Sequence, residues 1–175
     1  MPVVTLSLLV ILLTLILLGL VESKLHNNAI RKIPIRIHVN GTRGKSSVTR
    51  LIAAGLRGGG IQTVAKTTGS SPRFIDSLGD DHIIQRFRPA SIGEQIRMIA
   101  RFAKYKPKAI VMECMAVQPQ YQWVSEHKIL QSNYCVITNV RADHLEEMGY
   151  SHTHIAKSLS NTIPINKKVF TSETD

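Results

Sequence analysis

The segment from Lys24 to Gly60 contains no acidic residue, while eight Lys or Arg fall within it. Over the whole chain 12 acids face 22 basic residues, a formal charge of +10, which suits an anionic surface or a phosphate-bearing ligand. Aromatic residues are scarce, at 5%. With no basic–aromatic interleaving and no zinc-ligand spacing, the composition speaks against nucleic acid as a partner. Cysteine is nearly missing too. Cys114 and Cys135 each sit inside an apolar run. They read as reduced core residues of a cytosolic domain rather than a disulfide framework, and neither neighbours an obvious base. No internal repeat or low-complexity tract is present.

Charge is also absent from Val3 to Val21, a run of 19 residues whose polar members are Thr5, Ser7 and Thr14. About 20 apolar residues cross a bilayer as a helix. No basic region precedes the run and no clear cleavage site follows it, so an uncleaved anchor is expected rather than a signal peptide. Lys24, Arg31, Lys32 and Arg36 follow it. The positive-inside rule then places the rest of the chain in the cytoplasm. The expected organisation is an anchor over residues 3–21, a polar, basic linker over 22–32, and one domain over 33–175.

What is present centres on one stretch. Ile33, Ile35, Ile37 and Val39 alternate as in a strand. Asn40-Gly41-Thr42-Arg43-Gly44-Lys45-Ser46-Ser47 follows, and then a helix with Val48, Leu51, Ile52 and Leu56 at helical spacing, stopped by Gly58-Gly59-Gly60. Gly41 and Gly44 leave backbone N–H groups open to an anion at the start of a helix, a phosphate cradle. Lys45 supplies a charge for the outer phosphates and Ser46 a hydroxyl for Mg²⁺. The common phosphate loop needs a glycine at position 39, where this chain has Val39. The loop here is a shorter form.

Further along, a strand near residues 62–66 leads into the hydroxyl-rich Thr67-Thr68-Gly69-Ser70-Ser71-Pro72, expected near the first loop. Phe74 to Ala90 reads as irregular, an insertion or substrate-side loop. A helix is expected over Ile92–Tyr105, ended by Pro107, then a buried strand Ala109–Cys114 carrying Glu113. A helix over 119–128, a strand Tyr134–Thr138, a helix over 153–162 and a strand Lys168–Thr171 complete the pattern. Strands alternating with helices predict an α/β fold: a mostly parallel sheet with helices on both faces. Ligands bind such sheets beyond the carboxyl ends of the strands. The Gly41–Ser46 loop, Glu113 and the Asn139–His144 loop all fall there.

Glu113, ending an apolar strand, is a Mg²⁺ ligand, a base for water or a structural acid. In phosphate-loop proteins the acid on a neighbouring strand usually serves the metal. His144 is structural or a ligand. Mg²⁺ prefers oxygen, and Asp143 beside it is placed to orient the ring.

The motifs Gly41-Thr42-Arg43-Gly44-Lys45-Ser46-Ser47, Glu113-Cys114-Met115-Ala116 and Thr138-Asn139-Val140-Arg141-Ala142-Asp143-His144-Leu145-Glu146 resemble, in order, those of the Mur ligases and folylpolyglutamate synthases. With Ser158-Leu159-Ser160-Asn161-Thr162-Ile163-Pro164 and the N-terminal apolar run, they look like the ligase subunits of poly-γ-glutamate synthases (PgsB or CapB type). The resemblance implies a phosphate-loop ATPase domain that uses ATP and Mg²⁺ to activate a carboxylate as an acyl phosphate, which an amine attacks. It implies that Gly41, Thr42, Arg43, Gly44, Lys45, Ser46, Ser47 and Asn139 hold nucleotide. Lys45 would bind the β/γ-phosphates, Ser46 and Glu113 a first Mg²⁺, and His144 a second. Lys45, Glu113 and His144 are the expected catalytic set. Lys157, 13 residues after His144, fits loosely the carbamylated lysine of many Mur ligases, and fits a solvent-facing helix lysine as well.

The implied partners are glutamate and a growing poly-γ-glutamate chain, the membrane, and other subunits of a synthesis and export complex. Two other classes fit parts of the pattern: a nucleotide-binding module that energises a membrane complex without forming bonds, and a folylpolyglutamate or peptidoglycan ligase, which usually lacks an anchor. Mur ligases carry a further C-terminal domain with no counterpart here, so the chain is expected to be the first part of a longer protein.

Overall fold

The fold is described from a computed structural model, for residues 2–69, 71–86 and 91–174. The apolar run forms helix α1, Pro2–Arg31. It does not stop at Val21. The stretch read as a polar linker continues the same helix, because its last turns find partners in the domain. His26 and Ile30 are buried, and His26 Nε2 lies 2.8 Å from the Ile129 carbonyl oxygen. Pro34 follows the helix end, and proline disfavours helical backbone in the residue before it.

Among the described residues seven strands, numbered in chain order, form one sheet in the order β4-β3-β2-β5-β1-β6-β7. Strand β1, Ile35–Asn40, is an interior strand, next to the central β5. It pairs in parallel with β5, Ala109–Glu113, and with β6, Tyr134–Ile137. Strand β2, Thr63–Thr67, pairs in parallel with β5, and β7, Lys168–Thr171, with β6. The register sets Val39 opposite Glu113, so the loop after β1 leaves the sheet beside that carboxylate.

The alternation in β1 separates two kinds of buried surface rather than core from solvent. Ile37 and Val39 pack with Ala53, Ala65 and Val111 under helix α2, Lys45–Gly58. On the other face His38 and Asn40 are also buried, and each finds a partner: His38 Nδ1 with Glu126 Oε2 at 2.9 Å, its Nε2 being left without a hydrogen bond among the described residues, and Asn40 Nδ2 donating to Gln122 Oε1 at 2.8 Å. Burying such groups is tolerable only with partners in place.

That second face carries α3, Ile92–Ala103, with Phe102, Ile99 and Met98 against Ile110 and Met112. It also carries α4, Pro119–Val124, which continues as a π-helix over Ser125–Leu130, and α6, His152–Leu159, which tightens into a 3₁₀ turn over Ser160–Thr162. A short helix α5, Leu145–Met148, precedes α6. The Ser158–Pro164 motif has a structural use here. Ser158 Oγ accepts from Gln122 Nε2, and Thr162 Oγ1 accepts from Asn40 Nδ2, which ties α6 to the end of β1.

The stretch read as irregular after Phe74 contains two short strands, β3, Arg73–Ile75, and β4, Asp81–Ile83. They add antiparallel to the β2 edge. Asp76 Oδ1 accepts from the N–H groups of Leu78, Gly79 and Asp80, which closes the turn between them. Ser70 of the hydroxyl-rich loop, and Phe87 to Ala90 at the end of this stretch, lie outside the described residues.

Candidate nucleotide and metal site

The loop Gly41–Gly44 has a conformation that its glycines permit. Gly41 has φ 130° and Gly44 φ 77°, backbone that a side chain rarely adopts. A Cβ on Gly41 would also collide with the Thr138 hydroxyl and come within 3.0 Å of the Thr138 backbone nitrogen. Gly44 caps the start of α2, so free N–H groups of that helix open toward the loop. Lys45 Nζ folds back over the loop, donating to the Gly41 carbonyl at 2.7 Å and the Thr42 carbonyl at 3.3 Å. Ser47 is exposed on the first turn of the helix.

One carboxylate oxygen joins three of the loops. Glu113 is 3% exposed at the end of β5. Its Oε2 accepts from Ser46 Oγ at 2.8 Å and from the Thr68 backbone N–H at 2.7 Å. The hydroxyl-rich loop therefore lies against the phosphate loop, as its place after β2 predicts.

Asn139 braces the loop from the β6 side. Its Oδ1 accepts from Thr42 Oγ1 at 2.7 Å and the Arg43 N–H at 3.0 Å, and its Nδ2 donates to the Arg43 carbonyl at 3.0 Å. Thr138 Oγ1 donates to the same carbonyl at 2.7 Å. These bonds engage both ends of the Asn139 amide in holding the cradle's shape. Arg43, largely exposed, pairs with Asp143 at 3.1 Å.

His144 makes no bonded contact with this cluster, although its neighbours Arg141 and Asp143 touch the phosphate loop. Its ring is exposed, and no hydrogen bond or ion pair joins it to Ser46, Glu113 or Lys45. Asp143 Oδ1 accepts from the His144 backbone N–H at 3.1 Å, so the acid fixes the main chain rather than the ring. Among the described residues no three His, Cys, Asp or Glu gather as a metal site. Ser46 and Glu113 do meet. A hydroxyl and a carboxylate are the hard oxygen donors that Mg²⁺ selects, so this pair fits the ion the sequence implies. Lys157 is exposed on α6.

Sequence reasoning missed one charged group beside the site. Lys66, the fourth residue of β2, is fully buried, and its Nζ lies 2.9 Å from Glu94 Oε1 at the start of α3. The ammonium is paired by charge there without hydrogen-bond geometry. Arg86 grips Glu94 with two bonds, Nε to Oε2 at 2.7 Å and Nη2 to Oε1 at 2.9 Å. Burial pushes the Lys66 pKa down, against the pull of Glu94 and Glu113. Burial alone would raise Glu94, but the hydrogen bonds from Arg86 and the charge of Lys66 outweigh it and bring its pKa down to about 2. A lysine within the strand Thr63-Val64-Ala65-Lys66 was the visible signal, since charge in a central strand demands a partner.

An open cleft of about 490 Å³ adjoins the loop after Glu113, between Ile92 of α3, Met115, Gln118 and Tyr121. The two cysteines are free and buried. Burial raises the Cys135 thiol to about 12, so it stays neutral.

The model of the Mur ligase middle domain matches residues 39–162. Two curated relatives are similar in sequence. "Capsule biosynthesis protein CapB" of Bacillus anthracis is 40% identical over 163 residues, covering 92% of this chain and 35% of the relative. "PGA synthase CapB" of Bacillus subtilis (strain 168) is 39% identical over 154 residues, covering 87% of this chain and 39% of the relative. The chain thus spans little more than a third of the length of the curated relatives it matches. Among solved structures, an FPGS–AMPPCP complex superposes with a TM-score of 0.61 at 21% identity, covering 87% of this chain and 43% of that one. E. coli FolC in complex with DHPP and ADP gives 0.63 at 15% identity, covering 87% and 41%. At these identities the structural likeness speaks for the fold.

Proposed function

The chain belongs to the Mur ligase family, and from that premise we propose that it is the ATP-binding part of an amide ligase that extends poly-γ-glutamate. ATP phosphorylates the γ-carboxylate of the growing chain: a carboxylate oxygen attacks the γ-phosphorus and ADP leaves. The amine of the next glutamate then attacks the acyl carbon, a C–N bond forms, and phosphate departs as the nitrogen gives up a proton. The observation that carries this reading is the bridge from Ser46 Oγ through Glu113 to Thr68 N–H at the mouth of a glycine-built phosphate loop.

Each residue has a part in it. The N–H groups of Gly41–Gly44 and the start of α2 bind phosphate oxygens. Lys45, which now caps two loop carbonyls, turns to the β/γ-phosphates. Ser46 and Glu113 would hold Mg²⁺, which when bound offsets the charge of the transferred phosphoryl group. Asn139 holds the cradle open from behind. His144, whose ring makes no hydrogen bond among the described residues, would serve a second ion. The printed names of the relatives, a capsule biosynthesis protein and a PGA synthase, support a capsule-polymer setting; glutamate, its polymer and partner subunits of a synthesis complex are part of the proposal.

Helix α1 is long and apolar enough, by length and composition, to cross a bilayer. It would anchor the domain on the cytoplasmic side, where ATP is available.

The test uses the full-length protein with ATP, Mg²⁺, glutamate and a poly-γ-glutamate primer. The expected result is ADP release coupled to amide product, both lost in Lys45→Ala. Product formation at the normal rate in Lys45→Ala would overturn the assignment of roles. ATP turnover without amide product would favour a module that energises a membrane complex instead.

A further inference from the structure

We propose that the sheet edge opposite the phosphate loop is a docking surface for anionic lipid headgroups. It is formed by Lys24, Arg31 and Lys32 at the end of α1 with Lys104, Lys106 and Lys108 between α3 and β5. The proposal rests on the membrane-anchor reading of α1 and adds to it which face of the domain meets the bilayer.

The path of α1 sets the geometry. Residues 3–25 are exposed, and contact with the domain begins at His26. Asn27 Oδ1 accepts from Gln131 Nε2, and Ile30 packs with Ile99, Phe102 and Leu130. Phe102 belongs to the last turn of α3, and Leu130 ends the π-helix after α4. Both helices run back from the loop edge of the sheet to the edge where the parallel strands begin. The last turns of α1 are therefore seated at that starting edge, and its bare apolar length projects away from the domain.

The second group of lysines reaches the same edge by a different route. The Lys108 N–H donates to the Gln62 carbonyl at 2.9 Å, just before β2, and the Lys108 carbonyl accepts from the Ile35 N–H at 3.1 Å, at the start of β1. Lys104 and Lys106 lie in the turn that leads there, and all three side chains are exposed. The positive-inside rule counts charges close in sequence to a span. Here the fold carries three more lysines, some 80 residues downstream of Lys24, to the place where the span leaves the domain.

None of these six basic side chains forms an ion pair among the described residues. The acids of that half of the molecule are mostly committed. Glu126 is buried against His38, and Asp76 and Asp81 pair with His82 and Arg50. Asp80, between Asp76 and Asp81, is exposed with no ion pair among the described residues, and it and Glu22, exposed on α1 one turn before His26, are the remaining counter-charges. Tyr105, half exposed between Lys104 and Lys106, presents an aromatic ring with a polar tip, which favours the headgroup level of a bilayer. Unpaired cations beside a bilayer-spanning helix are attracted to an anionic leaflet.

A consequence follows for the site. Strand β1 spans six residues from the lysine edge to the phosphate loop, a length of about 20 Å at about 3.3 Å per residue. The nucleotide loops thus open away from the headgroups.

The test places a spin label on the full chain in vesicles of phosphatidylcholine, with and without phosphatidylglycerol. The native cysteines are both buried, so a cysteine introduced on the surface is the accessible one. The label is put in turn at Tyr105→Cys, at Leu12→Cys in the span, and at Ser71→Cys beside the phosphate loop. Access of a water-soluble relaxation agent is measured. At position 105 access falls several-fold when phosphatidylglycerol is present, and returns in Lys104→Gln/Lys106→Gln/Lys108→Gln, while position 71 stays open throughout. Equal access at position 105 in both vesicles, or shielding at 71 instead, overturns the proposal. Shielding at 105 by dissolved poly-γ-glutamate without anionic lipid also overturns it, in favour of a polymer-binding edge. Open access at position 12 in every vesicle removes the anchor reading and this proposal with it. A shielded position 12 with an open position 105 removes the docking surface alone.

Discussion

The Ser46 hydroxyl donates to Glu113 Oε2 at 2.8 Å, across 67 residues of sequence. The contact exists because β1 and β5 are parallel neighbours with Val39 opposite Glu113. The first residues of α2 therefore face the end of β5. The same oxygen takes the Thr68 N–H, so one buried carboxylate fixes the loops after β1, β2 and β5 relative to one another. A group so placed does structural work before any ligand arrives, and holds its lone pairs where a cation would share them.

Gly41→Ala tests how strictly the cradle depends on glycine. Its φ of 130° and the overlap with Thr138 Oγ1 act together. The expected loss of stability is about 3 kcal/mol. Denaturant melts measure it, and the loss of nucleotide binding exceeds what partial unfolding accounts for. Thr138→Ala in the same background recovers only part of the stability, because the backbone nitrogen of residue 138 still lies 3.0 Å from the new Cβ.

The Lys66–Glu94–Arg86 group gives the acid side of the stability profile. Glu94 falls from an ordinary 4.5 to about 2 in the folded chain. Its ionised form therefore stabilises the fold above pH 4.5, and that contribution is lost as pH falls from 4.5 toward 2. Urea melts across this window lose part of their slope in Glu94→Gln. At neutral pH Glu94→Gln costs about 3 kcal/mol, since it leaves the Lys66 ammonium buried without its partner. Lys66→Met is milder, because a flexible apolar chain fills the same space.

The buried His38–Glu126 pair gives the alkaline side. Burial alone would lower the His38 pKa, but its interactions with Cys114 and Glu126 outweigh that and lift it from 6.5 to about 10. The charged ring thus stabilises the fold fully below pH 6.5, and this is lost as pH rises through about 10. His38→Gln flattens the stability profile between those values. Thermal melts at closely spaced pH values read the difference.

Much of this site was legible in the sequence because its residues sit where strands end. A glycine pair after an apolar strand, an acid closing another, and Asn-x-x-x-Asp-His after a third could be placed on one edge by topology alone. The free, buried cysteines and the strand at Lys168 were equally plain. The rest depends on contacts between distant segments. The polar residues 22–31 stay helical because Ile129, Leu130 and Phe102 receive their end, which no local pattern announces. Strands β3 and β4 have three residues each, too few to show a period, although Asp76-Ser77-Leu78-Gly79 carried the turn chemistry. Arg86 and Glu94 read as surface charges until Lys66 is seen to need them. Asn139 drew notice for its place near the phosphates, whereas its amide groups brace the loop.

The most direct measurement is calorimetric titration of this chain with a non-hydrolysable ATP analogue, with and without Mg²⁺, for the native sequence and Glu113→Gln. If Glu113 and Ser46 hold the ion beneath the phosphates, the native chain binds at least tenfold more tightly with Mg²⁺, and Glu113→Gln loses that gain while remaining folded. Equal affinity with and without the ion, or an undiminished gain in a folded Glu113→Gln, would contradict the account.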